Sequence, residues 1–123
     1  MPRKILFVLF SEDACRQNHA LLYALDLREK GHEVKLILEG GATRMVSAMH
    51  AADSRPGALL RQARDVGILA GACGRASSGC ASEDPTRQVA QLAEAAGVPL
   101  LSALGGHASI EPFVREGYEL VML

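Results

Sequence analysis

Lys4-Ile5-Leu6-Phe7-Val8-Leu9-Phe10 decides the fold of this chain. After the lysine, six apolar residues follow without polar alternation, and such β-prone runs belong to strands covered on both faces. The run is the length of a strand, too short for the core of an export signal or for a membrane span. The expectation is a central parallel strand in a cytoplasmic protein.

The flanking sequence builds an α/β unit on that strand. Ser11, Glu12 and Asp13 supply a capping oxygen and first-turn negative charge for a helix that reaches Lys30 and stops at Gly31. A second strand over 34–38 is punctuated by Glu39-Gly40-Gly41, and a short helical stretch follows around Thr43 to His50. Pro56 opens another helix with Ala58, Leu59, Leu60 and Ala63 as its apolar face, and 66–70 reads as strand three. Residues 71–83 are small and flexible in composition, longer than the usual connection inside such a unit. Asp84 as N-cap and Pro85 at N1 begin a helix in which Val89, Leu92, Ala93 and Ala96 share a face, ended by Gly97. A short strand over 98–101, a loop over 102–107, a helix capped by Ser109 and stopped at Gly117, and a strand over 118–123 complete the chain. Short links between alternating elements predict one three-layer α/β/α domain over 1–123 with a five-stranded, mostly parallel sheet.

Composition narrows the function classes. Thirteen basic and 14 acidic residues leave a net charge of −1, which gives no electrostatic case for a nucleic-acid or acidic-membrane partner. Two tyrosines and three phenylalanines offer little for a nucleobase to stack on, so a metal or small anion is the better guest for any crevice. Three cysteines in a chain expected to stay inside the cell point to thiols, metal ligands or buried fillers rather than a disulfide framework.

Open parallel sheets bind ligands beyond the carboxyl ends of their strands, where loops meet helix N-termini. Cys15 follows the first expected strand, Cys73 and Cys80 the third, and His107 the fourth, so three thiols and an imidazole fall on one edge. Cys73, among glycines and beside Arg75, reads as a solvent-reachable nucleophile whose thiolate the guanidinium favours; a small half-buried filler is the plainer alternative. Cys80 is a second candidate, with Glu83 and Asp84 raising its pKa and a helix N-terminus opposing them. Cys15, next to Arg16 in a first helical turn, and His107, a candidate proton relay, complete the set as ligand-contacting residues. His19, His32 and His50 have no recognisable spacing. The first strand is followed by Ser11-Glu12-Asp13-Ala14-Cys15 rather than Gly-x-Gly-x-x-Gly, and neither a phosphate-binding Gly-Lys-Ser/Thr loop nor a Cys-x-x-Cys pair occurs. A mixed site of Cys15, Cys73, Cys80 and His107 offers enough zinc or copper ligands if the fold gathers them. No cofactor is expected.

The chain resembles the DsrE/DsrF-like family of small sulfur-relay proteins. The resemblance rests on Ile5-Leu6-Phe7-Val8-Leu9, Gly31-His32-Glu33-Val34, Leu38-Glu39-Gly40, Gly71-Ala72-Cys73, and Gly105-Gly106-His107-Ala108-Ser109 leading to Glu116-Gly117-Tyr118-Glu119. Ala108 stands where one branch of that family has proline, and Ala76 where it has a second cysteine. The resemblance implies a three-layer fold, homo- or hetero-oligomers, and a cysteine carrying persulfide sulfur between protein donors and acceptors, a position that only Cys73 matches. The leading expectation is therefore a sulfur-handling homo-oligomer using Cys73, Arg75 and Cys80. Its rival is a non-catalytic oligomeric binding module for a small ligand or metal ion.

Overall fold

Five strands, β1 (Lys4–Leu9), β2 (Glu33–Leu38), β3 (Leu69–Cys73), β4 (Leu100–Leu101) and β5 (Glu119–Met122), form one all-parallel sheet in the order β4-β3-β2-β1-β5. The computed structural model describes residues 2–51, 53–77 and 89–123. Helices α1 (Ala14–Glu29), α2 (Met45–Ala48), α3 (Arg55–Asp65), α4 (Val89–Ala95) and α5 (Glu111–Arg115) cover the sheet, giving the expected α/β/α layering. Among the described residues no helix is long and apolar enough to cross a membrane.

The opening strand is buried on both sides, as its unbroken apolar run requires. Ile5, Phe7 and Leu9 enter one core with Leu36 and Leu38, while Leu6 and Val8 enter a second, smaller one with Ile37. Chirality assigns the helices to these faces. The connections from β1 to β2, β3 and β4 all step in the same direction across the sheet, so right-handed crossovers place their helices on one face. Ala20, Leu21 and Ala24 of α1, Val46 of α2, Leu60 and Ala63 of α3, and Ala93 of α4 accordingly share the larger core. Only the step from β4 back past β1 to β5 runs the other way. The second face therefore receives α5 and the segment before it, through Ala108, Ile110 and Phe113, with Tyr118 edge-on to Phe113 at 5.5 Å.

Local chemistry sets the boundaries. Asp13 is the N-cap of α1, accepting from the Arg16 N–H at 2.9 Å, and Ser54 caps α3 by accepting from the Gly57 N–H at 3.1 Å. The last helix begins later than Ser109, although the Ser109 hydroxyl still accepts from the Glu111 N–H at 3.3 Å. The expected cap of α4 at Asp84 and Pro85 lies outside the described residues.

Strand three departs from the sequence expectation. Val66 and Gly67 turn the chain out of α3, and the strand runs over Leu69–Cys73 rather than 66–70. Residues 71–73, expected in a flexible loop, are thus sheet, and a helical turn follows over 74–77. The pairing with β2 also slips: Leu36 faces Leu69, but Ile37 faces Gly71, leaving Ala70 as an extra residue. Side chains alternate along a strand, so this insertion sends Ala72 to the larger core and Cys73 to the smaller. Gly71 is required there. A Cβ would stand 2.5 Å from the Pro99 carbonyl oxygen, which also accepts from the Ala72 N–H, and 2.8 Å from the Leu101 side chain on β4. Gly71→Ala is expected to lower unfolding stability by about 1–3 kcal/mol through this overpacking. A urea midpoint equal to that of the unsubstituted protein would contradict the close approach.

Candidate functional site

Cys73 ends β3 at the carboxyl edge of the sheet, facing the smaller core, with its side chain fully buried (0% exposed). The sulfur is not surrounded by hydrocarbon alone. His107 Nδ1 lies 3.7 Å from Sγ, and the Ala108 backbone N–H donates to Sγ over 3.4 Å. The Ala76 backbone N–H, in the helical turn after the strand, is close enough to favour the thiolate.

A tight reversal delivers the histidine. Leu104 and His107 exchange both backbone hydrogen bonds, at 2.9 and 2.8 Å, around Gly105 and Gly106. Both glycines have positive φ, 55° and 95°, the pattern of a two-residue I′ turn, which other residue types adopt only at a cost. The Arg75 N–H donates to the Gly106 carbonyl at 2.8 Å and joins this turn to the strand end. Gly74 permits the approach, since a Cβ there would meet the Ser102 hydroxyl at 2.7 Å. The His107 ring remains exposed while its Nδ1 reaches the buried thiol.

Glu39 is the residue that sequence reasoning missed. Leu38 pairs with Ala72, so the next step of the register sets Glu39 beside Cys73 on the adjacent strand. Ile37, two residues earlier, already faces the smaller core. The signal was present in the sequence as an acid closing the second apolar run at the same carboxyl edge as the thiol.

The balance of neighbours holds the Cys73 thiol protonated. Burial is the main cause raising its pKa, and the nearby Glu39 carboxylate adds to that rise by hydrogen bonding and by charge; the N–H groups of Ala76 and Ala108 act against it. Two expectations about this residue are thereby corrected. Cys73 is buried rather than solvent-reachable, because the strand extends through it and the 102–108 segment closes over it. Arg75 does not prime the thiol: its exposed guanidinium lies against Gly106, where a Cβ would sit 3.6 Å from Nε, and Arg75 has no part in the thiol's shift.

The structure also separates the thiols. Cys15 is exposed on α1, which packs on the larger core and hence on the opposite face from Cys73. Its sulfur lies 3.5 Å from His19 Nδ1, and that nitrogen is 2.8 Å from the Cys15 carbonyl. The expected four-residue zinc or copper site is not assembled with Cys15 on that side, and among the described residues no group of three or more His, Cys, Asp or Glu is placed to hold a metal. Cys80 lies outside the described residues.

Over 43 residues the chain is 46% identical to an uncharacterized protein of Archaeoglobus fulgidus, a match covering 35% of this chain and 70% of the archaeal one. The two belong to one family. No family model matches the chain, and no solved structure does.

The pH dependence of the thiol follows from its surroundings. A pKa raised on folding means that the native state holds the Cys73 proton more tightly. The associated stability is present below the ordinary thiol value of 9.0 and is lost as pH climbs past it. Iodoacetamide labelling of native Cys73 is expected to be slow at neutral pH and still rising at pH 9.0. A labelling rate that levelled off near neutrality would show an acidic thiol instead.

Proposed function

We propose that this chain handles sulfur, with Cys73 accepting a sulfane sulfur from a persulfide donor and passing it on. The contact between the buried Cys73 sulfur and the exposed imidazole of His107 carries the reading. A thiol held protonated by its surroundings needs a proton acceptor within reach before it becomes a nucleophile, and His107 occupies that position. The resemblance to DsrE/DsrF-like sulfur-relay proteins, in which the matching cysteine is the carrier, supports the same assignment.

His107 takes the proton from Cys73, and the thiolate attacks the outer sulfur of R–S–SH. The S–S bond of the donor breaks, and R–S⁻ leaves and recovers a proton from the imidazolium. The sum is Cys73–SH + R–S–SH → Cys73–S–SH + R–SH, with no net oxidation. The N–H groups of Ala76 and Ala108 steady the charge on sulfur while it is anionic. Arg75 holds the turn that presents His107 rather than acting on sulfur.

Incubation with a persulfide donor, alkylation and tryptic digestion are expected to give a 65–75 peptide about 32 Da heavier, one sulfur, with Cys73→Ser abolishing the gain. His107→Ala should slow loading at least about tenfold, the loss expected of a missing proton acceptor. Absence of transfer in the unsubstituted protein refutes the reading.

The same proposal takes the protein as a homo-oligomer. Val114 on α5 and Leu120 and Met122 on the edge strand are 52%, 38% and 56% exposed, an apolar surface that supports self-association. Light scattering at micromolar concentration should give a mass above the 13.1 kDa chain, and a monomer mass would remove this part.

A further inference from the structure

The carboxylate beside the thiol is unexpected for a site that must generate a thiolate. Glu39 adjoins Cys73 through the sheet itself, on a neighbouring strand about 5 Å away, so its position is fixed by register and not by a loop. Its backbone N–H is tied to the Leu9 carbonyl at 2.8 Å, and its Oε1 accepts from the Gly40 N–H at 3.0 Å, which anchors the side chain at the strand end. Among the described residues, the other polar groups at the sulfur are the His107 imidazole, the donating Ala108 N–H and the nearby Ala76 N–H. The guanidinium of Arg75, adjacent in sequence, is directed to Gly106.

We propose that Glu39 is a specificity-determining residue of this site, turning away anionic sulfur donors such as thiosulfate and admitting neutral persulfides. The proposal rests on Cys73 being the accepting thiol. An entering anion meets both the carboxylate and the forming thiolate in a half-buried setting, where like charges repel more strongly than in water. The protonated form R–S–SH, whose outer sulfur is the electrophile, brings no charge and meets only the geometric constraint. Glu39 does not accelerate the attack, and by opposing ionisation of the thiol it slows every electrophile to some degree. Its benefit is discrimination.

The charge at the sulfur can be read without any sulfur donor. Iodoacetamide and iodoacetate attack the same thiolate with the same leaving group, so their rate ratio cancels the ionised fraction and reports the local field. Trypsin places Cys15 and Cys73 on separate peptides, 5–16 and 65–75, and the exposed Cys15 serves as reference in the same sample. In the unsubstituted protein, Cys73 should prefer iodoacetamide over iodoacetate by about tenfold more than Cys15 does. Glu39→Gln should remove most of that excess while increasing both rates, and Glu39→Asp, which keeps the charge, should retain it. The same preference in Glu39→Gln as in the unsubstituted protein overturns the proposal and leaves sulfur transfer untouched. Should Glu39→Gln not fold, a Cys73 preference no greater than that of Cys15 overturns it equally. Failure of both reagents to label native Cys73 overturns this proposal and the sulfur reading together. A charge-dependent preference without persulfide loading sinks the sulfur reading and the donor selection that rests on it, leaving Glu39 only as the source of the charge at the sulfur.

Discussion

One extra residue in β3 governs where the chemistry sits. With uniform register, Leu69 on the larger core would put Cys73 on the same side, under α1 and α3 and away from the His107 turn. Ala70 is inserted opposite the Leu36–Ile37 step, and each side chain after it changes face. Cys73 consequently lands in the smaller core, where the Ala108 N–H and the His107 ring meet it. The insertion is tolerated because Gly71 has no side chain to collide with the Pro99 carbonyl, and because the Ala72 N–H still finds that same carbonyl at 2.9 Å.

Topology then makes the smaller face a place where a site can exist. Three successive crossovers in one direction load four helices onto the opposite face and fill it with apolar contacts. Among the described residues, the remaining face has a five-residue helix with no fully buried residue, the helical turn over 74–77 and the irregular segment from Ser102 to Ile110. Irregular backbone brings N–H groups and polar side chains to a strand end, whereas a long packed helix would bring methyl groups. On the same face, Leu120 and Met122 are exposed on the β5 edge. Site and exposed apolar surface are two consequences of one chirality rule.

The large-scale fold was legible because hydrophobic runs and breakers are local signals. The unbroken Ile5–Phe10 run predicted a doubly covered strand, and Gly31 and Pro56 marked real helix limits. Strand three was misplaced by three residues because Val66 is as apolar as a strand residue but serves as the C-cap of α3, while small Gly71-Ala72-Cys73 carries no strand propensity and is sheet only through its neighbours. That displacement cost the site reading its geometry. A Cys73 in a glycine-rich loop is naturally read as exposed and open to Arg75; a Cys73 at the end of a buried strand is not. His107 was found because the edge rule needs only strand order. Its exact hold on the thiol depends on a positive-φ turn, which the Gly105-Gly106 pair announces without saying what it faces. Glu39 was overlooked because its partner lies 34 residues away, and only register brings them side by side.

The opposing influences on Cys73 describe a sulfur suited to guarded reactivity. The Ala108 N–H donating to the sulfur, with the Ala76 N–H nearby, favours a thiolate or persulfide anion, yet burial and Glu39 together outweigh them and the resting thiol keeps its proton. A low-pKa exposed thiolate would react with any electrophile in the cell and climb the oxidation ladder. In the proposed reading, a shielded thiol that ionises only when His107 accepts its proton avoids that loss, at the expense of speed. In this arrangement the imidazole is the exposed member of the pair and the thiol the buried one. The proton transfer proposed for His107 depends on the placement of that side chain, which rests on the two glycines before it and on the Arg75 backbone bond that fixes their turn against the strand.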